Sequence, residues 1–371
     1  MHRTLPLGTP PLTTFLFQLY PLSVLAQEEA YRPWLYSTHL QLFIYPGEEL
    51  KVLAHALSTS HRLSDALQLG CPLLDVQGLE QEALLSLAAD PAGALARLLG
   101  MGLYVQVDLD HFHLPYRAEY RQRHFLHEVL LFGWDEKAGA FDALGYDRQG
   151  RLGTVCLHRD DLTRALQTPR AELVRAVAAE GPAPPWLEEA FSDRPRLFLY
   201  RYLPGRACSL NLPGIIAQME DYLAARSTCA RWGLGDRPRG IWGIAVYGYL
   251  RDLLAAMAAG QATSPIPWRL LWEHKRCMHL RLRFLEERGY LPAAAGLSDA
   301  CARVEAASAD LRLVALRWSA RPQSHCLSQA TALLDRIAAE EYRALEMVLG
   351  HLRAAQARAP DYPGGPQGAA G

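Results

Sequence analysis

The chain has no CxxC pair, and its seven cysteines, an odd number, are scattered over 371 residues. Such a pattern argues against a disulfide framework and fits reduced thiols, most of them small buried side chains. Positive charge is also not in excess. The formal net charge is −1 at pH 7, and no basic stripe is visible, which argues against a dedicated nucleic-acid binder. Long apolar runs are missing too, none approaching the roughly 18 uninterrupted residues of a membrane span. The segment Phe15 to Ala26 ends Val24-Leu25-Ala26 in the manner of a signal-peptidase site. However, Gln18, Tyr20 and Pro21 interrupt it and Arg3 is the only firm positive charge upstream. A soluble cytoplasmic protein, with neither membrane nor nucleic acid as partner, is the expectation.

What the chain does have is apolar content, at 50% of residues, and length. Single cores seldom grow beyond roughly 250–300 residues, so two domains are expected. The most informative stretch runs from Tyr104 to Asp147. His127 opens the apolar run Val129 to Phe132, a turn follows at Glu136–Gly139, and Asp142 lies on the return segment. Facing residues of an antiparallel pair sit about 4.5–5.5 Å apart. On that pattern Asp142 holds one imidazole nitrogen of His127 and leaves the other for proton transfer.

The spacing of Gly133, Asp135 and Asp142 after His127 resembles the histidine-to-aspartate half of C39-like and other papain-fold cysteine peptidases. The preceding segment Val107–Tyr120, VDLDHFHLPYRAEY, resembles the butirosin biosynthesis protein H N-terminal domain family, with Asp110, Phe112, Leu114, Pro115 and Tyr116 at the motif positions. The helix EHKRCMHLRLRFLEERGYL also looks like that family. The resemblance implies an α+β fold: a papain-like N-terminal domain with a small antiparallel sheet, followed by an all-helical C-terminal domain. It further implies acyl transfer or thioester processing on an intermediate held by an acyl or peptidyl carrier protein, in specialised-metabolite biosynthesis, with a small-molecule acceptor and no cofactor beyond the carrier's phosphopantetheine. A catalytically lapsed member, acting as partner or scaffold in the same kind of pathway, is the alternative.

In papain-like folds the nucleophilic cysteine begins a helix, where the macrodipole and free N–H groups lower its pKa. The corresponding helix is expected over Tyr31–Pro46, with Pro33 in its first turn, Leu40, Phe43 and Ile44 as its apolar stripe and Pro46-Gly47 as its stop. By register the cysteine belongs near Trp34 to Tyr36, and none is there. Ser37 and Thr38 carry hydroxyls close by, but both are also common capping residues. Cys71, the only thiol upstream of His127, reads as structural because no helix N-terminus follows it. The candidate catalytic set is therefore His127, Asp142, Ser37, Thr38 and Cys71.

Elsewhere, Leu79–Gly100 is helical with a restart at Asp90-Pro91, Leu103–Leu109 alternates as a strand, and Gly153–Leu157 is a further strand. Asp160 or Asp161 is expected to cap a helix running towards Gly181. A Pro-rich linker follows at Gly181–Pro185, then a helical turn Trp186–Phe191 and a strand Arg196–Leu203. Helices are expected over Leu212–Cys229, Ile241–Gly260, Pro267–Arg288, Leu297–Ala320 and His325–Ala359. This gives a papain-like domain at 1–205, a helical domain at 206–358 and a disordered tail at 359–371. Glu273, His274, Lys275, His279, Arg281 and Arg283 on one helix and Glu340, Glu341 and Arg343 on another read as ion pairs between and along helices. The sharper reading gives Lys275, Arg281 and Arg283 to a carrier-protein contact. His111 and His113, two apart on an extended segment, with His124, His127, Asp108 and Asp110 nearby, raise a metal reading. It is set aside because a site needs at least three convergent ligands.

Overall fold

The computed structural model describes residues 2–38, 40–44, 54–56, 71–169, 172–173, 175, 197–228, 240–261, 263–321 and 323–358. The expected linker Gly181–Pro185, the turn Trp186–Phe191, the Pro46-Gly47 stop and the tail 359–371 lie outside them.

In chain order, strand β1 (His2–Thr4) precedes helix α1 (Leu16–Leu25), which is buried almost throughout. Helix α2 (Arg32–Thr38) then gives way to strands β2 (Leu42–Ile44) and β3 (Ala54–Ala56). Strand β4 (Leu74–Leu79) leads to α3 (Gln81–Leu87) and α4 (Pro91–Gly100). At the restart of α4 the Asp90 side chain accepts from Gly93 N at 2.9 Å, with Pro91 in the first helical position, where a missing N–H costs nothing. Strands β5 (Tyr104–Asp110), β6 (Leu126–Asp135), β7 (Ala140–Tyr146) and β8 (Leu152–His158) follow, then α5 (Arg159–Gln167). His158, not Asp160 or Asp161, is the capping position of α5, without a side-chain bond; the two acids lie in its first turn, against the positive end of the helix dipole.

Strand β9 (Leu197–Tyr202) and helix α6 (Leu212–Leu223) come next. The segment read as one helix from Ile241 begins as strand β10 (Ile241–Trp242), passes through a 3-10 turn and becomes α7 (Val246–Ala258). Three long helices complete the chain: α8 (Ile266–Glu287), α9 (Leu297–Ala320) and α10 (Ser324–Arg358). No single helix among the described residues is long and apolar enough to cross a membrane.

The architecture is mixed α and β, with an antiparallel sheet and a helical C-terminal region. The chain divides into two compact units. The first comprises residues 1–10, 16–29 and 67–206, and the second residues 11–15, 30–66 and 207–371. The first unit holds a seven-stranded sheet in the order β4-β9-β5-β6-β7-β8, with β1 also pairing β6 beyond the reach of β5. Every pairing in it is antiparallel. On one face Val105, Val107, Leu109, Val129, Leu131, Ala143 and Leu197 are buried to within 2% of complete, and α4 and α5 pack against these strands. The other face carries Gln106, Asp108, Leu130 and Tyr200, and Tyr20 of α1 reaches it, donating its hydroxyl to the Glu128 carbonyl at 3.0 Å.

In the second unit α9 packs with both α8 and α10. This unit is not all-helical, because β10, β2 and β3 form a three-stranded antiparallel sheet. The helix expected over Tyr31–Pro46 therefore stops at Thr38, and Phe43 and Ile44 are strand residues.

Candidate functional site

The site expected from the sequence does not assemble around His127 and Asp142. Strand β6 pairs β7 in register at Leu131↔Ala143, then slips by one residue so that Gly133 faces Asp142. Two residues of β6 thus oppose one of β7. The bulge reverses the alternation, because side chains change face at every residue. His127 shares a face with Val129, Leu131 and Ala143, whereas Asp142 points to the other. The two also lie six residues apart along the strand direction, roughly 20 Å at about 3.3 Å per residue. Asp142 has its own partners: its carboxylate rests over Gly133, where a Cβ would come within 2.4 Å of Oδ2, and accepts from the Thr4 hydroxyl at 2.9 Å. Continuing the Leu130↔Leu144 register brings Asp147 opposite His127. Asp147 is occupied in closing the β7–β8 turn, accepting from Gln149 N, Arg151 N and Arg151 Nε.

His127 itself stacks on Phe125 with ring centres 5.4 Å apart and lies 5.6 Å from His111. Burial pushes its pKa down, partly offset by a hydrogen bond to the backbone at Glu128. His111 is 2% exposed and accepts from Arg117 Nε on Nδ1 at 3.1 Å. Burial, then the Arg117 and His127 charges, push its pKa down to about 2.

The hydroxyl candidates are committed to helix carbonyls. Ser37 donates to Pro33 O at 2.7 Å and accepts from Asn211 N at 2.8 Å, and Thr38 donates to Trp34 O at 2.9 Å. Both stand in the last turn of α2, not at its N-terminus, and α2 belongs to the second unit. Cys71 is buried ahead of β4. The registers Leu74↔Tyr202, Tyr104↔Tyr200 and Val105↔Leu131 put it at the end of the sheet opposite His127, which pairs with Leu109.

A different histidine is held by a carboxylate. Asp110 ends β5, and its Oδ1 accepts from Phe112 N and Phe125 N, both at 3.1 Å, so it closes the intervening loop at both ends. His111 N→Phe125 O at 2.9 Å and Arg121 N→Phe112 O at 3.0 Å tie the loop further, with Arg121 at φ 55 where the chain doubles back. The return delivers His124 onto Asp110, with Nδ1 2.6 Å from Oδ2, and the Thr168 hydroxyl donates to the same oxygen at 3.0 Å. His113 Nε2 lies 3.8 Å away. Asp110 is completely buried, while His124 is 18% exposed and stacks on Phe112 at 4.4 Å. With both carboxylate oxygens filled by donors, Asp110 is fixed as an acceptor. It holds His124 as the Nδ1–H tautomer and leaves Nε2, 3.5 Å from Glu172 Oε1, to take a proton. Glu172, with its side chain 46% exposed, stands where it would stabilise the imidazolium so formed.

In sequence terms Asp110 and His124 stood out only as part of a histidine-rich segment and a resemblance motif. A carboxylate ending a strand, an aromatic two residues on and a His-aromatic pair entering the next strand was the available signal. His111 and His113 do not share a strand face, because they lie in a 3-10 turn. Among the described residues no three His, Cys, Asp or Glu side chains converge as metal ligands.

The charged helix of the second unit is an internal network. Lys275, 1% exposed, donates to both oxygens of Glu341 at 2.7 Å, and Tyr222 and Tyr247 donate to Glu341 Oε2 at 3.1 and 2.7 Å. Arg281, with no exposed surface, donates to Tyr36 O. Burial removes Lys275 and Arg281 from any docking surface; only Arg283 of that trio is exposed, and it pairs with Glu287 at 3.6 Å. No protein-family model matches the sequence, and no curated protein matches it.

Proposed function

We propose that the first unit promotes transfer of an acyl group from a carrier-protein thioester to a small-molecule acceptor, with His124 as general base and Asp110 as its orienting carboxylate. The observation that carries this is the 2.6 Å contact between a fully buried carboxylate and a partly exposed imidazole; the resemblance of the Asp110–Tyr116 segment supports the substrate class. No protein nucleophile is required. His124 Nε2 takes the proton of an acceptor N–H or O–H as that atom forms its bond to the thioester carbonyl. The tetrahedral intermediate then collapses, the C–S bond breaks, and the thiolate leaves with the proton from the imidazolium.

The second reading is the lapsed partner. It is favoured by the engagement of the Ser37 and Thr38 hydroxyls with Pro33 and Trp34 carbonyls and by the remoteness of Cys71 from His127 on the sheet. Incubation with acyl-loaded carrier protein and an acceptor amine, followed by intact mass, separates the readings. Base catalysis predicts deacylated carrier with wild type, Ser37→Ala, Thr38→Ala and Cys71→Ala, and a loss on the order of 10²–10⁴ in rate for His124→Ala. Acyl-carrier mass unchanged under every condition, with binding still detectable, favours the partner.

A further inference from the structure

The loop that delivers His124 carries a second group of side chains that the proton transfer does not use. Arg121 sits at φ 55, one of two non-glycine residues at positive φ among those described. Glycine or asparagine adopts that conformation at less cost, so the turn itself does not explain an arginine there. Its guanidinium lies over the Tyr120 ring, 5.1 Å from the ring centre, and meets no carboxylate or carbonyl among the described residues. Arg148, in the β7–β8 turn, lies 5.9 Å from the same ring centre. Its Nε donates to Pro115 O at 2.7 Å, which ties the turn to the loop, and its two terminal nitrogens have no acceptor among the described residues. Both arginines are exposed. The charges around them are taken up by one another: Arg117 and Arg123 approach Glu119 at 3.4 and 3.8 Å, and Arg151 is held by Asp147 at 2.8 Å. The pair belongs to the same place as His124, because Arg121 N donates to Phe112 O at 3.0 Å and the Phe112 ring stacks on His124 at 4.4 Å.

Stacking on a ring occupies the flat face of a guanidinium and leaves its N–H edge free to donate. Two such edges around one tyrosine complement a compact anion with several acceptor oxygens, which is a phosphate group. A carboxylate, with two oxygens and one charge, would fill only one of them. An acidic protein surface or a nucleic acid would ask for a wider basic face, and Arg117, Arg123 and Arg151, which could have extended it, are engaged with Glu119 and Asp147.

We propose that Arg121 and Arg148, held on Tyr120, bind the phosphate group of an organic phosphate beside His124. The site rests on these contacts and stands whether or not His124 promotes acyl transfer. Where it does, the phosphate is the one in the pantetheine arm; where it does not, it belongs to a free phosphorylated metabolite.

The test is calorimetric titration of the full chain with sodium pyrophosphate, with sodium acetate at equal ionic strength as the control anion. The expected result is binding of pyrophosphate but not acetate, at least about tenfold weaker in Arg121→Gly and in Arg148→Gln. Glycine suits the positive φ at position 121, so Arg121→Gly should melt close to the wild-type temperature, and its loss of binding is then not a loss of fold. His124→Ala, which ends the proposed proton transfer, should leave pyrophosphate binding in place. Competition against pyrophosphate then names the source: phosphopantetheine displacing it where pantetheine does not assigns the site to the arm, and displacement by neither assigns it to a free organic phosphate. No heat with pyrophosphate, an equal response to acetate, or wild-type affinity in both arginine variants would overturn the proposal.

Discussion

A carboxylate taken out of water costs several kcal/mol unless its lone pairs are filled, and Asp110 is filled by two backbone amides, a threonine and a histidine. His127, the histidine that the sequence pattern favoured, has no acid in its register that is not otherwise engaged. His111 makes a separate claim testable. Its pKa in the fold, about 2, lies below the ordinary 6.5, so its contribution to stability is complete above pH 6.5 and is lost as pH falls toward 2. Each proton taken up only on unfolding adds a slope of about 1.4 kcal/mol per pH unit. Urea unfolding between pH 7 and 4.5 should show His111→Gln, which keeps an acceptor for Arg117, losing less stability on acidification than wild type; parallel curves would contradict the assignment. Lys275 and Glu341 allow a second check. Lys275→Met strands a buried carboxylate and should cost about 3–5 kcal/mol, whereas adding Glu341→Gln should recover part of it in the same urea assay.

At the scale of elements, one bulge decides the geometry. A single extra residue between Leu131 and Gly133 sends Asp142 to the face opposite His127, and no hydrophobic pattern announces such a slip. Gly133 is the residue that accommodates it. Gly133→Ala would drive a Cβ into the Asp142 side chain and should cost about 1–3 kcal/mol, most of it recovered in Gly133→Ala/Asp142→Ala; additive costs in thermal unfolding would refute the contact. The long helices α8, α9 and α10 were legible to within two residues at their ends, because apolar positions recur at helical spacing between Gly and Pro breaks. The segment after α2 was not. Leu42, Phe43 and Ile44 are all buried, and a strand buried on both faces has no alternation to distinguish it from helix. The pairing of Asp110 with His124 was equally hidden, since a loop closed by backbone bonds brings them together and no periodicity records that.

For the whole molecule, the compact units do part between residues 206 and 207, near the composition boundary, but residues 11–15 and 30–66 also belong with the helical half. The dependence is chemical. Buried Glu273 of α8 accepts from Thr13 N, Thr13 Oγ1 and Thr14 N, His274 pairs with the Leu40 carbonyl, and Arg281 donates to the Tyr36 carbonyl. A fragment starting at residue 207 loses all these partners, and it should show no cooperative melting transition. A sharp transition at the temperature of the full chain would show that the helices need none of them.

The proposed chemistry requires Asp110 to hold His124 as a proton acceptor at Nε2, and long-range proton–nitrogen NMR of the histidine rings reads that state directly. On the alkaline side of the imidazole titration, His124 should appear as the Nδ1–H tautomer with Nε2 at the shift of an unprotonated nitrogen. Asp110→Asn should abolish that preference while the His127 signals stay in place. A His124 ring in the Nε2–H tautomer, or one indifferent to Asp110→Asn, would contradict it.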